Sequence, residues 1–212
     1  MSNIVNDVVE DYIRHTLKDA DGLLKELEVF AEENSVAIVH KMQKPQRILE
    51  VGCAIGYSSI LFATTCEGNV DITTCERNPV MIERAKENIK RAGFENNIRI
   101  LEGDAVEQLK NVEGEFDMIF LDAAKGQYKL FYDLVIDKLK VGGVLISDNI
   151  LYKGMIASDD LVVRRKKTIV KRMRNYLDYI CNCDYLTTSL LPMGDGVAIS
   201  YKDSKRGENK DA

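Results

Sequence analysis

From Pro45 onward, apolar strand-like runs alternate with amphipathic helical segments, and this alternation restricts the chain to few folds. Strands are predicted at 47–52, 70–76, 97–105, 116–123 and 142–149, with helices at 57–66, 79–93, 128–139 and 160–180 and a short helix before residue 116. The closing run YLTTSLLPMGDGVAISYK predicts two more strands around a Gly-Asp-Gly turn, as in an antiparallel hairpin. We therefore expect an α/β fold, with a mostly parallel sheet covered by helices on both faces.

The alternation contains no linker, repeat or low-complexity segment, so we expect a single domain over 1–212. Within it we expect an N-terminal helical cap over 1–45, a core over 46–202 and a flexible tail over 203–212. The chain has no apolar run of the length that a membrane helix needs and no secretion signal. Its five cysteines include no CxxC pair and are interpreted as buried free thiols. These features predict a cytoplasmic protein that does not contact a membrane.

Acidic side chains stand where the predicted strands end: Glu50, Glu76, Asp104, Asp122 and Asp148. A single acid at such a position is as readily a turn former or helix cap as a functional group. Ligands of open α/β sheets bind at the carboxyl ends of the strands, and five acids at one rim would repel each other unless a ligand or cation compensates them. The set as a whole therefore predicts a binding site.

The first crossover, LEVGCAIGYSS, is a glycine-rich loop between a strand and a helix. Its glycines, Gly52 and Gly56, follow G-x-x-x-G spacing, whereas dinucleotide-binding loops have G-x-G-x-x-G. Glu50 would repel a diphosphate but could hold a cationic amine, and Glu76 suits a ribose diol. This combination favours S-adenosylmethionine over a nicotinamide dinucleotide.

The fifth predicted strand ends in Asp148-Asn149, next to the fourth strand with Asp122. Two carboxylates and an amide oxygen are hard ligands suited to Mg²⁺ or Ca²⁺, while the absence of a His/Cys cluster disfavours zinc. The same Ser-Asp-Asn run alone could be a simple Asx turn. Together with Asp122, it favours a metal site.

The motifs ILEVGCAIGYSS, TCERNP, GDA, FLDAAKGQY, SDNIL and GDGVAIS resemble those of divalent-metal- and S-adenosylmethionine-dependent O-methyltransferases. This family includes catechol and caffeoyl-CoA O-methyltransferases, and the resemblance covers nearly the whole chain. It implies a Rossmann-like class I methyltransferase fold with a seven-stranded sheet, and a homodimer. DAAKGQY, DNILYKG and the basic segment RRKKTIVKRMR look most like the bacterial tRNA 5-hydroxyuridine methyltransferases of this family.

The resemblance also implies a role for each matching residue. Residues expected around the cofactor are Val39, Glu50, Gly52 and Ser58 at the methionine side, Glu76 at the ribose, Asp104 and Ala105 at the adenine, and Asp122. Residues expected to hold Mg²⁺ are Asp122, Asp148 and Asn149, with Lys125 as the general base. A lysine beside a cation disfavours its own ammonium form and can accept the substrate's proton.

One departure from the family falls between Ile38 and Pro45, where relatives have a further helix that closes over the cofactor. Either this chain lacks that segment, or the sequence omits a stretch. The departure bears on Val39 and on closure of the cofactor site.

The run Arg164–Arg174 contains seven cations and no acid in a chain of net charge −5. The simplest interpretation is a solvated helix face. A tRNA anticodon loop would instead match the cations with phosphates, and we favour this interpretation for Arg164, Arg165, Lys166, Lys167, Lys171 and Arg172. A small catechol-like or caffeoyl-CoA-like phenol is the alternative substrate. An inactive cofactor-binding protein and a nicotinamide-dependent oxidoreductase are more remote alternatives.

Overall fold

A computed structural model describes residues 45–207 of the chain. The predicted N-terminal cap, Val39, the short join between Ile38 and Pro45 and the end of the predicted tail lie outside these residues. Within them, no helix is both long enough and apolar enough to cross a membrane.

The core of the structure is one seven-stranded sheet with strand order β3-β2-β1-β4-β5-β7-β6. The strands are β1 (Arg47–Val51), β2 (Asp71–Glu76), β3 (Ile98–Glu102), β4 (Phe116–Leu121), β5 (Leu139–Asp148), β6 (Leu186–Leu191) and β7 (Val197–Lys202). The first five strands pair in parallel, whereas β7 runs antiparallel to both of its neighbours. The predicted parallel sheet with an antiparallel C-terminal hairpin is therefore confirmed.

Five α-helices connect these strands: α1 (Tyr57–Thr65), α2 (Pro79–Ala92), α3 (Ala105–Lys110), α4 (Tyr128–Val135) and α5 (Lys167–Asn182). The ends of α2 follow the sequence signals. The side chain of Asn78 accepts a hydrogen bond from the Val80 amide, Pro79 occupies the first turn, and Gly93 ends the helix in a left-handed conformation. Short 3-10 turns cover Lys125–Gln127, Ile136–Lys138, Asp159–Leu161 and Arg164–Lys166.

The helices cover both faces of the sheet, as predicted. Successive strand residues point to opposite faces, so Ile48 packs in the cluster beside α1 and α2, and Leu49 packs in the larger cluster beside α4 and α5. Because both faces are buried, the central strands contain nearly unbroken apolar runs.

The predicted helix over 160–180 is wrong at its start, since α5 begins at Lys167. Ser158 caps the short turn Asp159–Leu161, and Val162 and Val163 then adopt extended backbone conformations. Arg174 reaches back from α5 and donates to the backbone oxygens of Met155 and Ile156 and to the Asp159 carboxylate. These bonds hold the preceding segment against the side of α5 rather than in line with it.

The environments of one cysteine and one lysine differ from expectation or were not predicted. Cys53, Cys66 and Cys75 are buried thiols as expected, but Cys181 is exposed. Lys202, 3% exposed, donates to the carbonyl oxygens of Ile136 and Leu139 at 2.7 and 2.6 Å. This lysine ties β7 to the turn that precedes β5, and burial lowers its pKa.

Candidate active site

The carboxyl ends of the parallel strands surround a cavity of about 190 Å³. Its wall includes five residues that the sequence assigned to the cofactor: Gly52, Glu76, Asp104, Ala105 and Asp122. The strand order is the cause, because β1 lies between β2 and β4 and the loops that follow these strands meet at one edge.

Gly52 allows the glycine-rich loop to lie directly against the end of β4. Its φ is +111°, and a Cβ at this position would lie 2.0 Å from the backbone oxygen of Asp122. The amides of Gly52 and Cys53 both donate to the Cys75 carbonyl, at 3.2 and 3.0 Å. A residue with a side chain would therefore push the loop away from the neighbouring strand.

Glu76 fastens the same loop to the end of β2. One carboxylate oxygen accepts from the Ala54 amide at 2.9 Å, and the other accepts from the amides of Arg77 and Asn78 at 2.8 and 2.9 Å. These bonds fix the carboxylate in orientation at the cavity wall. The oxygen that accepts from Ala54 has a second lone pair, so it is still able to accept from a hydroxyl of a ligand.

Asp104 and Ala105 form the next part of the wall, where β3 leads into α3. The Asp104 side chain caps α3 by accepting from the Val106 amide at 2.9 Å. The assignment of these residues to the adenine side stays a prediction, in keeping with their place in the cavity wall.

Glu50 and Ser58 do not line the cavity. Glu50 is 0% exposed, and its carboxylate accepts hydrogen bonds from the hydroxyls of Ser58, Ser59 and Thr74, the last at 2.5 Å. Burial raises the pKa of Glu50. Within the described chain this acid joins β1, α1 and β2 beneath the loop, and its predicted contact with the cofactor amine stays a prediction.

Lys125 and Asp122 form an ion pair at the end of β4, with 2.7 Å between Nζ and Oδ1. The lysine side chain is 18% exposed, and its Nζ also donates to the Tyr128 hydroxyl at 3.0 Å. The structure thus brings together the predicted base and a predicted metal ligand, in a turn that closes one side of the site.

Tyr128 is a site residue that sequence reasoning missed. Its buried hydroxyl lies 2.8 Å from the Asp148 carbonyl and 3.0 Å from the Leu121 carbonyl, so it links Lys125 to the ends of β4 and β5. Burial raises the phenol pKa, which keeps the hydroxyl protonated and able to donate. The signal was the FLDAAKGQY motif, which ends in this tyrosine three residues after Lys125.

Asp148 and Asn149 stand opposite Asp122, as the adjacency of β4 and β5 predicts. The Asn149 side-chain nitrogen Nδ2 donates to Asp122 Oδ1 at 3.5 Å, and the Asn149 backbone amide donates to Asp148 Oδ1 at 2.6 Å. Burial raises the pKa of Asp148, and the negative charge of Asp122 raises it further, while the bond from Asn149 opposes them. A cation between these groups would relieve that repulsion.

No group of three or more His, Cys, Asp or Glu side chains among residues 45–207 is arranged as a metal centre. The predicted set consists of two carboxylates, Asp122 and Asp148, and the side-chain amide of Asn149. Because asparagine is not one of those four residue types, this set contributes only two members to such a group. Hard oxygen donors of this kind fit Mg²⁺ or a similar ion with further positions filled by water or substrate. The residues therefore fit the predicted metal, which stays a prediction.

The predicted RNA-binding cations fall into two neighbouring groups. Arg164, Arg165 and Lys166 form a 3-10 turn, and Lys167, Lys171 and Arg172 follow on α5. All are exposed except Lys166, which is half-buried. Together these cations, Arg164–Arg172, form a basic strip. Arg172 donates to the Gly126 carbonyl at 3.3 Å, so the strip borders the turn Lys125–Gln127, the Lys125 turn.

Comparison with known proteins agrees with this geometry. The family model described as O-methyltransferase matches residues 1–203. The chain belongs to the O-methyltransferase family. A candidate caffeoyl-CoA O-methyltransferase from Staphylococcus aureus is 37% identical, with a TM-score of 0.74, and the match covers 92% of this chain and 99% of that one. This membership confirms the predicted reaction class and family.

Two further relatives of this O-methyltransferase are informative. A candidate caffeoyl-CoA O-methyltransferase from Arabidopsis thaliana is 32% identical over 143 residues, which are 66% of this chain but only 62% of that protein. A Podospora anserina methyltransferase solved with S-adenosylhomocysteine is 26% identical, with a TM-score of 0.70 over 96% of this chain and 90% of that chain.

Proposed function

We propose that this O-methyltransferase transfers a methyl group from S-adenosylmethionine to the 5-hydroxyuridine of a tRNA anticodon. The observation that supports this substrate is the basic strip, Arg164–Arg172, beside the Lys125 turn. The cofactor follows from the family, from the S-adenosylhomocysteine bound to the Podospora relative, and from the cavity that Gly52, Glu76 and Asp122 line here.

Bound S-adenosylmethionine would supply a sulfonium methyl carbon, whose bond to sulfur breaks, leaving the electron pair on sulfur, as the carbon–oxygen bond forms. The protein has two tasks. Lys125 takes the proton of the attacking hydroxyl on Nζ after giving its own proton to solvent. The cavity and the Lys125 turn would align the substrate oxygen with the bound cofactor, and alignment of this kind contributes several orders of magnitude in rate.

We further propose that Asp122, Asp148 and Asn149 hold a hard divalent cation such as Mg²⁺. Such a cation would lower the pKa of a hydroxyl that binds through two neighbouring oxygens. 5-Hydroxyuridine has the required pair, because its 5-hydroxyl lies next to the O4 carbonyl. The carboxylates of Asp122 and Asp148 together carry a charge of −2, which a bound divalent cation would balance.

The basic strip distinguishes an RNA substrate from a simple phenol. Among residues 45–207, the cation of the run Arg164–Arg174 that forms an ion pair is Arg174, whose partner is Asp159. No described carboxylate therefore pairs with a cation of the strip. A free catechol offers no phosphate to them, whereas an anticodon loop offers several near an unstacked base. A caffeoyl-CoA-like thioester is the second candidate, because it also carries phosphates and because relatives bear that name.

A methyl-transfer assay tests these substrates directly. Purified protein is given radiolabelled S-adenosylmethionine and Mg²⁺ with tRNA bearing 5-hydroxyuridine, with the same tRNA bearing uridine, with catechol or with caffeoyl-CoA. We expect labelling of the first substrate alone, and loss of labelling with EDTA or in Asp148→Ala. Labelling of caffeoyl-CoA but not of tRNA would overturn the RNA proposal and leave the enzyme class intact.

Binding to an anticodon stem-loop tests the strip independently of catalysis. Removing Arg164 and Arg165 together should weaken binding and lower its salt dependence by about two charges. Removing Lys90 and Arg91, two exposed cations on α2, is the matched control. Equal effects of the two double variants would show that the strip has no special role. The homodimer expected from the family stays a prediction, which sedimentation velocity would test.

A further inference from the structure

The Asp148-Asn149 pair poses a geometric problem at the end of β5. Consecutive residues of a strand point to opposite faces, so a regular strand could not bring both side chains to one ligand. Asp148 is still in register, opposite Val197. Asn149, the next residue, has a φ of +54°, in the left-handed region.

A bulge at Asn149 solves this problem. If the register continued, Gly196 would face Asn149, but its carbonyl accepts from the Ile150 amide at 3.0 Å, and the Asp195 carbonyl accepts from Leu151 at 2.8 Å. Asn149 is thus one extra residue, and a β-bulge with a left-handed residue re-aims side chains. As a result, the Asn149 side chain reaches Asp122, and its Nδ2 donates to Asp122 Oδ1 at 3.5 Å.

The turn Met193–Gly196 holds the bulge in place. Besides the two carbonyls, the Asp195 carboxylate accepts a hydrogen bond from the Lys153 amide. Tyr152 and Lys153 are also left-handed, with φ of +46° and +58°. Non-glycine residues keep such conformations where the surrounding bonds enforce them, and here the bonds come from the turn.

Gly196 allows the turn to approach closely enough to make these bonds. A Cβ on Gly196 would lie 2.3 Å from Leu151 Cγ and 3.1 Å from Ile150 Cγ1. Gly194, two residues earlier in the same turn, has no atom within 4 Å of such a Cβ. The turn therefore lies close to Ile150 and Leu151 at Gly196 but not at Gly194.

We propose that Asp195 is a positioning residue for the metal site: its bonds to Leu151 and Lys153 keep Asn149 in the bulge, so that Asp148 and Asn149 address one cation. This inference rests on the metal site of the proposed function. The bond from Leu151 goes to the Asp195 backbone carbonyl and does not depend on the side chain, whereas the bond from the Lys153 amide goes to the carboxylate. An amide oxygen in place of the carboxylate would still accept from Lys153. Residues behind metal ligands typically change metal affinity by about 10- to 100-fold.

The test measures metal binding without substrate. Mn²⁺ is titrated into the full chain while the free ion is followed by electron paramagnetic resonance, for wild type, Asp195→Ala, Asp195→Asn and the control Gly194→Asn. We expect Asp195→Ala to weaken Mn²⁺ binding about 10- to 100-fold, and the other two variants to stay within about threefold of wild type. The dissociation constant of S-adenosylhomocysteine, measured by calorimetry, should change less than about twofold in all of them, because neither Asn149 nor Asp195 lines the cofactor cavity.

Three results would overturn the proposal: Mn²⁺ affinity of Asp195→Ala equal to wild type, Asp195→Asn as weak as Asp195→Ala, or no Mn²⁺ binding by wild type. The second would assign the effect to the charge of Asp195 rather than to its hydrogen bond. If Asp195→Ala does not fold, Asp195→Asn and Asp195→Ser give the same comparison. RNA and methyl transfer do not enter the measurement, so failure of the RNA proposal leaves this result intact.

Discussion

Tyr128→Phe removes one oxygen atom at the junction of β4, β5 and the Lys125 turn. The tyrosine hydroxyl accepts from Lys125 Nζ at 3.0 Å and can donate to the carbonyls of Asp148 or Leu121. Hydrogen bonds to charged groups contribute about 1.5–3 kcal/mol. Lys125 retains its 2.7 Å bond to Asp122, so we take the lower end of this range. We therefore expect kcat to fall about tenfold, which corresponds to ~1.4 kcal/mol.

Stability should also fall, because the carbonyl to which the hydroxyl donates loses a buried donor. An unsatisfied buried group costs about 1–3 kcal/mol, or about 2–12 °C in Tm for a chain of this size. Tyr132→Phe is the matched control. It lies on the same helix and is fully buried, but its hydroxyl lies 2.6 Å from that of Tyr185, in another part of the core. We expect this control to lower Tm without changing kcat.

Steady-state kinetics and a double-mutant cycle with Lys125→Met decide whether Tyr128 acts through the lysine. If it does, adding Tyr128→Phe to Lys125→Met should change the remaining kcat by less than about twofold. A further tenfold loss in the double variant would refute the reasoning, since the hydroxyl would then act independently of Lys125.

Three further predictions concern the sheet and its loops. Gly52→Ala should lower Tm and abolish detectable binding of S-adenosylhomocysteine by calorimetry, because its Cβ would overlap the Asp122 backbone; Gly93→Ala, with open space around its Cβ, should retain binding. Thermal melts at a series of pH values should show Glu50→Gln gaining stability relative to wild type as the pH rises above 4.5. The raised pKa of Glu50 means that the fold favours the protonated acid, so the wild-type protein becomes less stable as this acid ionises. A difference in Tm between the two proteins that does not change with pH would contradict this assignment. Lys202→Met should lower the free energy of unfolding by about 1.5–3 kcal/mol in urea titrations, because two buried carbonyls lose a charged donor; no change would show that water replaces the ammonium.

The sequence was most informative where local patterns and burial agree. Strands β4 and β5 contain apolar runs because both faces of the sheet are covered. Helix α2 is bounded by Asn78, Pro79 and Gly93 through purely local capping. The parallel order then brings the strand-end acids to one rim. The sequence alone therefore predicts that Glu76, Asp104 and Asp122 lie together.

What could not be predicted depends on contacts between distant residues. The predicted start of α5 was wrong because the helical spacing of apolar residues extends back to Val162. In the structure, hydrogen bonds from Arg174 and to Ser158 hold the residues before α5 outside the helix. Glu50 looks like any other strand-end acid in the sequence. Its burial beneath the loop comes from Thr74, 24 residues away on the neighbouring strand.

The placement of β7 between β5 and β6 has a consequence for biosynthesis. Of the seven strands of the sheet, β7 is synthesised after the other six, yet it pairs along β5 and follows the turn that holds Asn149. Until it emerges, the nascent chain presents β5 as an open edge, which is a template for misassembly. The same delay keeps the proposed metal site incomplete until β7 has emerged.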